Sequence, residues 1–282
     1  LKQKLKISRP FHMDINETVA VVTGAGSGIG RALACRLVAA GARFVVCTDI
    51  DADAALETAS LIGSKASAEA LDVADQAAIE DLVRRVETAH GGIDLFVSNA
   101  GYALGGGLGL DTDQWRNMME VHLWAHLNAA RAVVPGMIAR GGGYLLNTAS
   151  AAGLLTQLDS GPYAVSKHAA VALAEWLAIN YSDRGIGVSV LCPQAVRTNI
   201  LGKPAGRGRS QRSNSNQAAQ DGILAPETVA DDCIKAIIAE QFLVLPHKEV
   251  AKYFANKAND YERWLRGMRR FRDRLRQKRN QP

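Results

Sequence analysis

A glycine-rich turn wedged between an apolar strand and a helix limits the fold more than any other feature of this chain. Val19-Ala20-Val21-Val22 is a short β run, Thr23-Gly24-Ala25-Gly26-Ser27-Gly28-Ile29-Gly30 follows at once, and a helical pattern starts at Arg31. Glycines at that junction allow a tight turn and a close approach of backbone to a diphosphate, with the amino end of the helix facing the anion. A glycine run alone could be an ordinary turn. A strand before it, a helix after it and an acid at the end of the next strand make it read as a dinucleotide site. The acid is Asp49, closing the β run 43–48, with Ile50 beyond it. Its carboxylate would accept hydrogen bonds from a ribose diol and repel a 2′-phosphate. Position 27 is a serine rather than a base, so NAD is favoured over NADP.

Downstream, strand and helix patterns alternate, as in a parallel sheet covered on both faces. Helices are expected at 52–62, 76–88, 112–140, 162–184 and 226–240, and strands at 68–71, 93–98, 144–149, 188–191 and 242–245. The expected fold class is α/β: a Rossmann-like, doubly wound parallel sheet flanked by helices in three α/β/α layers. Length alone permits two domains, but this pattern uses residues 13–250 as one.

Tyr163 and Lys167 are four residues apart, and Ser150 closes the apolar run 144–149. On a helix, positions i and i+4 share a face, so the ammonium can sit beside the phenol. A free tyrosine ionises near pH ~10, and bringing it to about 7–8 takes roughly 3–4 kcal/mol of preference for the phenolate. One cation at about 4 Å in an effective dielectric of about 20 supplies roughly 4 kcal/mol. By itself such a pair is usually a helix surface; the nucleotide pattern upstream gives it chemical meaning.

These motifs together resemble the short-chain dehydrogenase/reductase family, from about Val19 to Pro246. The resemblance rests on the glycine loop, Asp72-Val73, Asn99-Ala100-Gly101, Ser150, Tyr163 with Lys167, and Pro193 with Thr198. It implies that Thr23, Gly24, Ser27, Gly28, Ile29, Gly30, Asp49, Ile50, Asp72, Val73, Asn99, Ala100, Gly101, Pro193, Val196 and Thr198 bind the cofactor, with Tyr163 and Lys167. Asp72 would contact the adenine amino group, Asn99 would steady the central strand, and Thr198 would bond the nicotinamide carboxamide. The family commonly assembles through its two long helices, so a homodimer or homotetramer is expected.

Two positions depart from the pattern. His122 stands where the family usually has an asparagine that helps hold a water linking the catalytic lysine to solvent. A histidine can donate and accept, and can titrate near pH ~6.5, so it is counted with the catalytic residues as a candidate relay; plain packing is the alternative. Gln194 stands where a glycine is common after the sixth strand, and a modest backbone shift is expected there.

Composition fits a single α/β domain: 282 residues can bury a large core. No apolar run nears the ~18–20 residues that span a bilayer, and no signal peptide is evident. Cys35, Cys47, Cys192 and Cys233 are scattered and read as reduced thiols of a cytoplasmic protein. Their spacing, and that of the histidines, suggests no metal site. Residues 202–222 are rich in Gly, Arg, Ser, Asn and Gln and read as a mobile substrate lid, or else a plain surface loop. Residues 251–282 read as a basic amphipathic helix. Tyr261, Trp264, Leu265, Met268, Phe271 and Leu275 form its stripe, and the arginines crowding the rest of the helix account for the net charge of +5. That stripe is expected to dock on the protein's own body or a neighbouring subunit. Contact with a membrane surface stays open, and nucleic-acid binding is not expected. Residues 1–12 have no counterpart in the family and are read as a leader or cloning-derived extension.

The resulting expectation is NAD-dependent interconversion of a hydrophobic secondary alcohol and its ketone, with Tyr163 as acid and base. Ser150 would hold the substrate oxygen, and Tyr102, Leu104, Leu154, Leu155, Leu158 and Leu201 would line an apolar pocket. The alternatives are an NADPH-dependent ketone reductase and a non-catalytic nucleotide-sensing interaction protein.

Overall fold

The computed structural model describes residues 13–198 and 217–279. Val19 and Val21 pack on one side of the sheet and Ala20 and Val22 on the other, because successive side chains of a strand point to opposite faces. The same alternation in Val46 against Val45, and Phe96 against Leu95, gives two cores with the sheet between them. Strands that are apolar on both faces pair in parallel under two helical layers. Seven strands do so here: β1 (Val19–Thr23), β2 (Phe44–Asp49), β3 (Ala66–Ala70), β4 (Leu95–Ser98), β5 (Gly143–Thr148), β6 (Ile186–Leu191) and β7 (Leu243–Val244). Their order is β3-β2-β1-β4-β5-β6-β7, every neighbouring pair parallel. The doubly wound sheet expected from the sequence is the one observed.

Helices α1 (Gly28–Ala39) and α2 (Ala52–Ile62) pack on one face. Helix α3 (Gln76–His90) packs on the other. The expected helix over 112–140 is real but broken: α4 (Thr112–Met119) passes into a π-helical turn, Glu120–Trp124, before α5 (Ala125–Ala139). Hydrophobic periodicity does not reveal one extra residue in a turn, so this bend was not legible. A single turn, α6 (Ala152–Leu155), precedes α7 (Gly161–Tyr181), whose first helical turn carries Pro162, a residue suited to a helix start. Helix α8 (Pro226–Ile238) then covers α1.

The tail expected as one helix is two, α9 (Glu249–Asn259) and α10 (Tyr261–Arg279), divided at Asp260. Asp260 leaves helical geometry (φ −150°, ψ 87°), and its carboxylate accepts the Arg263 N–H at 2.8 Å, so it ends one helix and caps the next. Trp264 packs against the core and Leu275 is buried, so part of the stripe is docked on the protein itself. Tyr261 and Leu265 stay exposed.

From β1 the chain winds outward through β2 to β3, then returns to β4 and winds the other way. The crevice beyond the carboxyl ends of β1 and β4 is where such sheets bind ligands.

Candidate active site

The glycine loop fills that crevice by necessity. Gly24 has φ +64°, and a side chain on Gly30 would place its Cβ 2.0 Å from the Gly24 carbonyl oxygen. The loop can be this tight only without Cβ atoms at these positions. Ser27 caps α1 without a side-chain bond, and no acid lies in the first turn, so the amino end of the helix presents backbone N–H groups unopposed by negative charge.

Asn99 locks the loop to the sheet. Its amide donates to the Thr23 and Gly24 carbonyls at 3.0 and 3.4 Å, and its oxygen accepts from Thr148 Oγ1 at 3.1 Å. Thr23 Oγ1 in turn accepts the backbone N–H groups of Asn99 and Ala100, at 2.9 and 3.0 Å. Asp49 accepts the Gly26 N–H at 2.9 Å and the Asp51 N–H at 3.1 Å. Its carboxylate is therefore pinned at the end of β2, as a ribose acceptor must be.

A cavity of about 900 Å³ runs from this end, past the strand ends, to α7. Of the cofactor residues expected from the sequence, Gly24, Ser27, Gly28, Ile29, Asp49, Ile50, Asp72, Val73, Asn99, Ala100, Gly101, Pro193, Val196 and Thr198 line it. Thr23 and Gly30 do not: Thr23 is a buried staple behind the wall, and Gly30 is pressed against Gly24. Thr198 packs over Gly28, since a Cβ on that glycine would meet its methyl group at 2.7 Å. Two chain segments far apart in sequence thereby meet at the middle of the cavity.

Ser150, Tyr163 and Lys167 converge on the same wall. Ser150 Oγ accepts the Ala152 N–H at 3.1 Å and donates to the Pro193 carbonyl at 3.4 Å, which ties the end of β5 to the loop after β6. Lys167 Nζ donates to the Thr148 carbonyl at 2.9 Å and lies 5.8 Å from the centre of the Tyr163 ring. The amine is thus beside the phenol, as the spacing implied.

The electrostatics differ from the sequence argument. Burial pushes the Tyr163 phenol up, the Ser150 hydroxyl pulls it down, and the Cys192 thiol adds to the rise. Burial also pushes the Lys167 ammonium down to about 7. Lys167 is not among the groups that shift the phenol, and an amine so desolvated carries only part of its charge near neutral pH. In the protein by itself, desolvation therefore outweighs the cation, and the expected lowering of the phenol is not realised.

His122 sits in the π-helical turn, fully buried. Its Nε2 accepts the Tyr102 N–H at 3.2 Å, which leaves the ring proton on Nδ1, 2.9 Å from Ser166 Oγ. The Ser166 hydroxyl then donates to the Tyr163 carbonyl at 3.1 Å. Burial, then Lys167 and His126, hold the imidazole well below its usual range, so it stays neutral near physiological pH. The titrating relay considered from the sequence is corrected on this ground: both ring nitrogens are engaged in fixing the loop after β4 to α7.

The far end of the cavity is less apolar than expected. Tyr102, Leu104 and Leu155 line it, while Leu154 is packed in the core and Leu158 is not on the wall. Leu201 and most of the 202–222 lid lie outside the described residues. Gln157, Gln194 and Gln217 join the wall. Gln217 accepts the Leu158 N–H and donates to the Thr156 carbonyl, both at 3.0 Å, and so bridges the loops after β5 and β6. Gln194, the second departure, gives its N–H to His247 at 3.2 Å. No local pattern marks these glutamines, because their neighbours come from elsewhere in the chain. Arg31 and Glu57, also missed, line the adenosine end as an ion pair at 2.8 Å.

Residues 18–205 match the family described as short chain dehydrogenase. The chain belongs to the short-chain dehydrogenase family. It is accordingly an oxidoreductase acting on CH–OH groups. Among curated short-chain dehydrogenases, it is 34% identical over 260 residues to 1-deoxy-11-beta-hydroxypentalenate dehydrogenase of Streptomyces avermitilis, covering 90% of this chain and 93% of that one. It is also 34% identical over 191 residues to cyclohexanol dehydrogenase of an Acinetobacter species, covering 66% and 76%. A solved short-chain dehydrogenase/reductase from Burkholderia phymatum, in complex with NAD, superposes with a TM-score of 0.80 at 30% identity over 89% of this chain and 96% of that one. No helix among the described residues of this short-chain dehydrogenase is long and apolar enough to cross a membrane.

Proposed function

We propose that the protein is an NAD-dependent dehydrogenase that interconverts a hydrophobic secondary alcohol and its ketone. The observation that carries this is the convergence of Ser150, Tyr163 and Lys167 on one wall of a cavity continuous with the glycine loop. The amino end of α1, which no side chain caps, fits a diphosphate, and the pinned Asp49 carboxylate fits a ribose diol. Bound NAD would supply the hydride acceptor. The chain's own part is to orient the substrate and move one proton. Ser150 donates to the substrate oxygen, and Tyr163 takes the hydroxyl proton as the carbinol hydrogen leaves. Lys167 would hold the nicotinamide ribose and, together with the positive charge of the oxidised ring, offset the burial that holds the Tyr163 phenol up. His122, through Ser166, keeps the backbone at Tyr163 in place.

Relatives named for a hydroxypentalenate and for cyclohexanol support a compact, largely hydrocarbon substrate, as do Tyr102, Leu104 and Leu155 on the wall. Val165, Trp176 and Ile179 leave an apolar exposed strip on α7, which supports assembly as a homodimer or homotetramer through the long helices. The four free thiols support a cytoplasmic setting.

The test is a panel of hydrophobic secondary alcohols with NAD and NADP, following absorbance of the reduced cofactor. Turnover should appear with NAD, and Tyr163→Phe should lower kcat by about 10³-fold or more while NADH still binds. Full activity in Tyr163→Phe would sink the acid–base assignment, and a clear preference for NADP in the parent would sink the cofactor reading.

A further inference from the structure

The adenosine end of the cavity sets one cation, Arg31, among four carboxylates, Asp49, Asp51, Asp53 and Glu57. Arg31 is not loose there. Its Nη1 and Nη2 donate to the two oxygens of Glu57 at 3.1 and 2.8 Å, its Nε to Thr58 Oγ1 at 3.0 Å, and Nη2 also to the Gly26 carbonyl at 2.6 Å. Those bonds engage all but one of the guanidinium's N–H groups. Gly26 gives its own N–H to Asp49 at 2.9 Å, so a single residue separates the cation from the carboxylate that faces the ribose. A guanidinium one residue away from the Asp49 carboxylate is what a 2′-phosphate would seek there, because its planar fork matches phosphate geometry.

We propose that Glu57 is a selectivity residue for the dinucleotide: it keeps Arg31 paired along α2, denying a 2′-phosphate the cation at this end of the cavity, while Asp49 repels that phosphate directly. Rejection of NADP then depends on two carboxylates with different tasks. The inference rests on the NAD reading above. Arg31 in turn holds the Glu57 carboxyl below its usual range, through a hydrogen bond and its charge. Both side chains are partly exposed, so the pair adds little to folding and can be opened without unfolding the chain.

The experiment is a fluorescence titration of NADH and NADPH binding, with a thermal melt of each protein as the control for folding. The proteins are the parent, Glu57→Gln, Asp49→Asn, the double variant, and the double variant with Arg31→Met. Both primary substitutions keep shape and one acceptor oxygen while removing charge. Relative to NADH, NADPH should bind about tenfold tighter in Glu57→Gln and about a hundredfold tighter in the double variant. Arg31→Met should return most of that gain, and raised salt should shrink it. An NADPH-to-NADH ratio within about twofold of the parent in both Glu57 backgrounds overturns the proposal. So does an increment of the double variant over Asp49→Asn that survives Arg31→Met, since it would then come from lost repulsion rather than a freed guanidinium. A parent that already prefers NADPH would instead refute the NAD reading, and Glu57's role with it.

Discussion

The two ends of the cavity are made by opposite means. At the adenosine end a continuous stretch, 19–58, supplies the glycine loop, Arg31, Asp49 and Glu57, and short-range geometry does most of the positioning. At the substrate end the wall is assembled from segments around Tyr102, His122, Leu155, Gln194 and Gln217, joined by bridges between side chains and backbone. The first end tolerates no added atoms; the second is held by individual hydrogen bonds worth about 0.5–1.5 kcal/mol each. A cofactor of fixed shape suits the one, and a substrate that varies among relatives suits the other.

That contrast can be broken most decisively at Gly30. Gly30→Ala drives a Cβ to 2.0 Å from the Gly24 carbonyl oxygen, with the Asn99 side-chain amide at 2.6 Å, itself bonded to that same loop. NADH affinity should fall by more than about a hundredfold and stability by about 1–3 kcal/mol, measured by titration and urea denaturation. Unaltered binding would show that the adenosine end is as adaptable as the other.

Lys167→Met should separate stability from function at the point where the two ends meet. The amine ionises at about 7 in the fold against 10.5 for the ordinary side chain, so burying its charge costs roughly 5 kcal/mol. Between those values the unfolded chain binds more protons, so this group's contribution makes stability rise with pH there and leaves the full cost below about pH 7. Lys167→Met should therefore melt above the parent at pH 6, with the advantage fading toward pH 10, while activity is lost throughout. A variant that melts lower at pH 6 would show that the bond to Thr148 outweighs desolvation.

A smaller effect is expected at the joint made by His122. His122→Ala should lower kcat about tenfold by loosening Tyr102 and Ser166, yet the pH dependence of the rate should keep its inflections, because the imidazole is already neutral. An inflection near pH 6 that vanishes in the variant would restore the relay. Smallest is Gln217→Ala, which removes two bonds across the mouth of the substrate end. KM should rise about three- to tenfold with kcat little changed. Steady-state kinetics on the same substrate distinguish the two variants.

The adenosine end was legible because its signal is local. Four glycines between Val22 and Arg31, an acid closing the next strand and alternating apolar strands each act through neighbours a few residues away. The i, i+4 relation of Tyr163 and Lys167 is local too, and their proximity followed from it. The π-helical turn at His122 was hidden, since an extra residue per turn leaves the apolar pattern almost unchanged. The division of the tail at Asp260 has a weak signal, an aspartate two positions before Glu262, outweighed by the long basic stripe around it.

Sequence alone pointed to a doubly wound parallel sheet, the glycine turn and the side-by-side placing of Tyr163 and Lys167, for each depends on backbone sterics and short spacing. Tertiary structure decided the rest: that desolvation overrides the cation at Tyr163, that His122 is a neutral clamp, and that Glu57 occupies Arg31. Solvent exclusion and pairing across distant segments are properties of the packed chain, and no stretch of residues carries them before it folds.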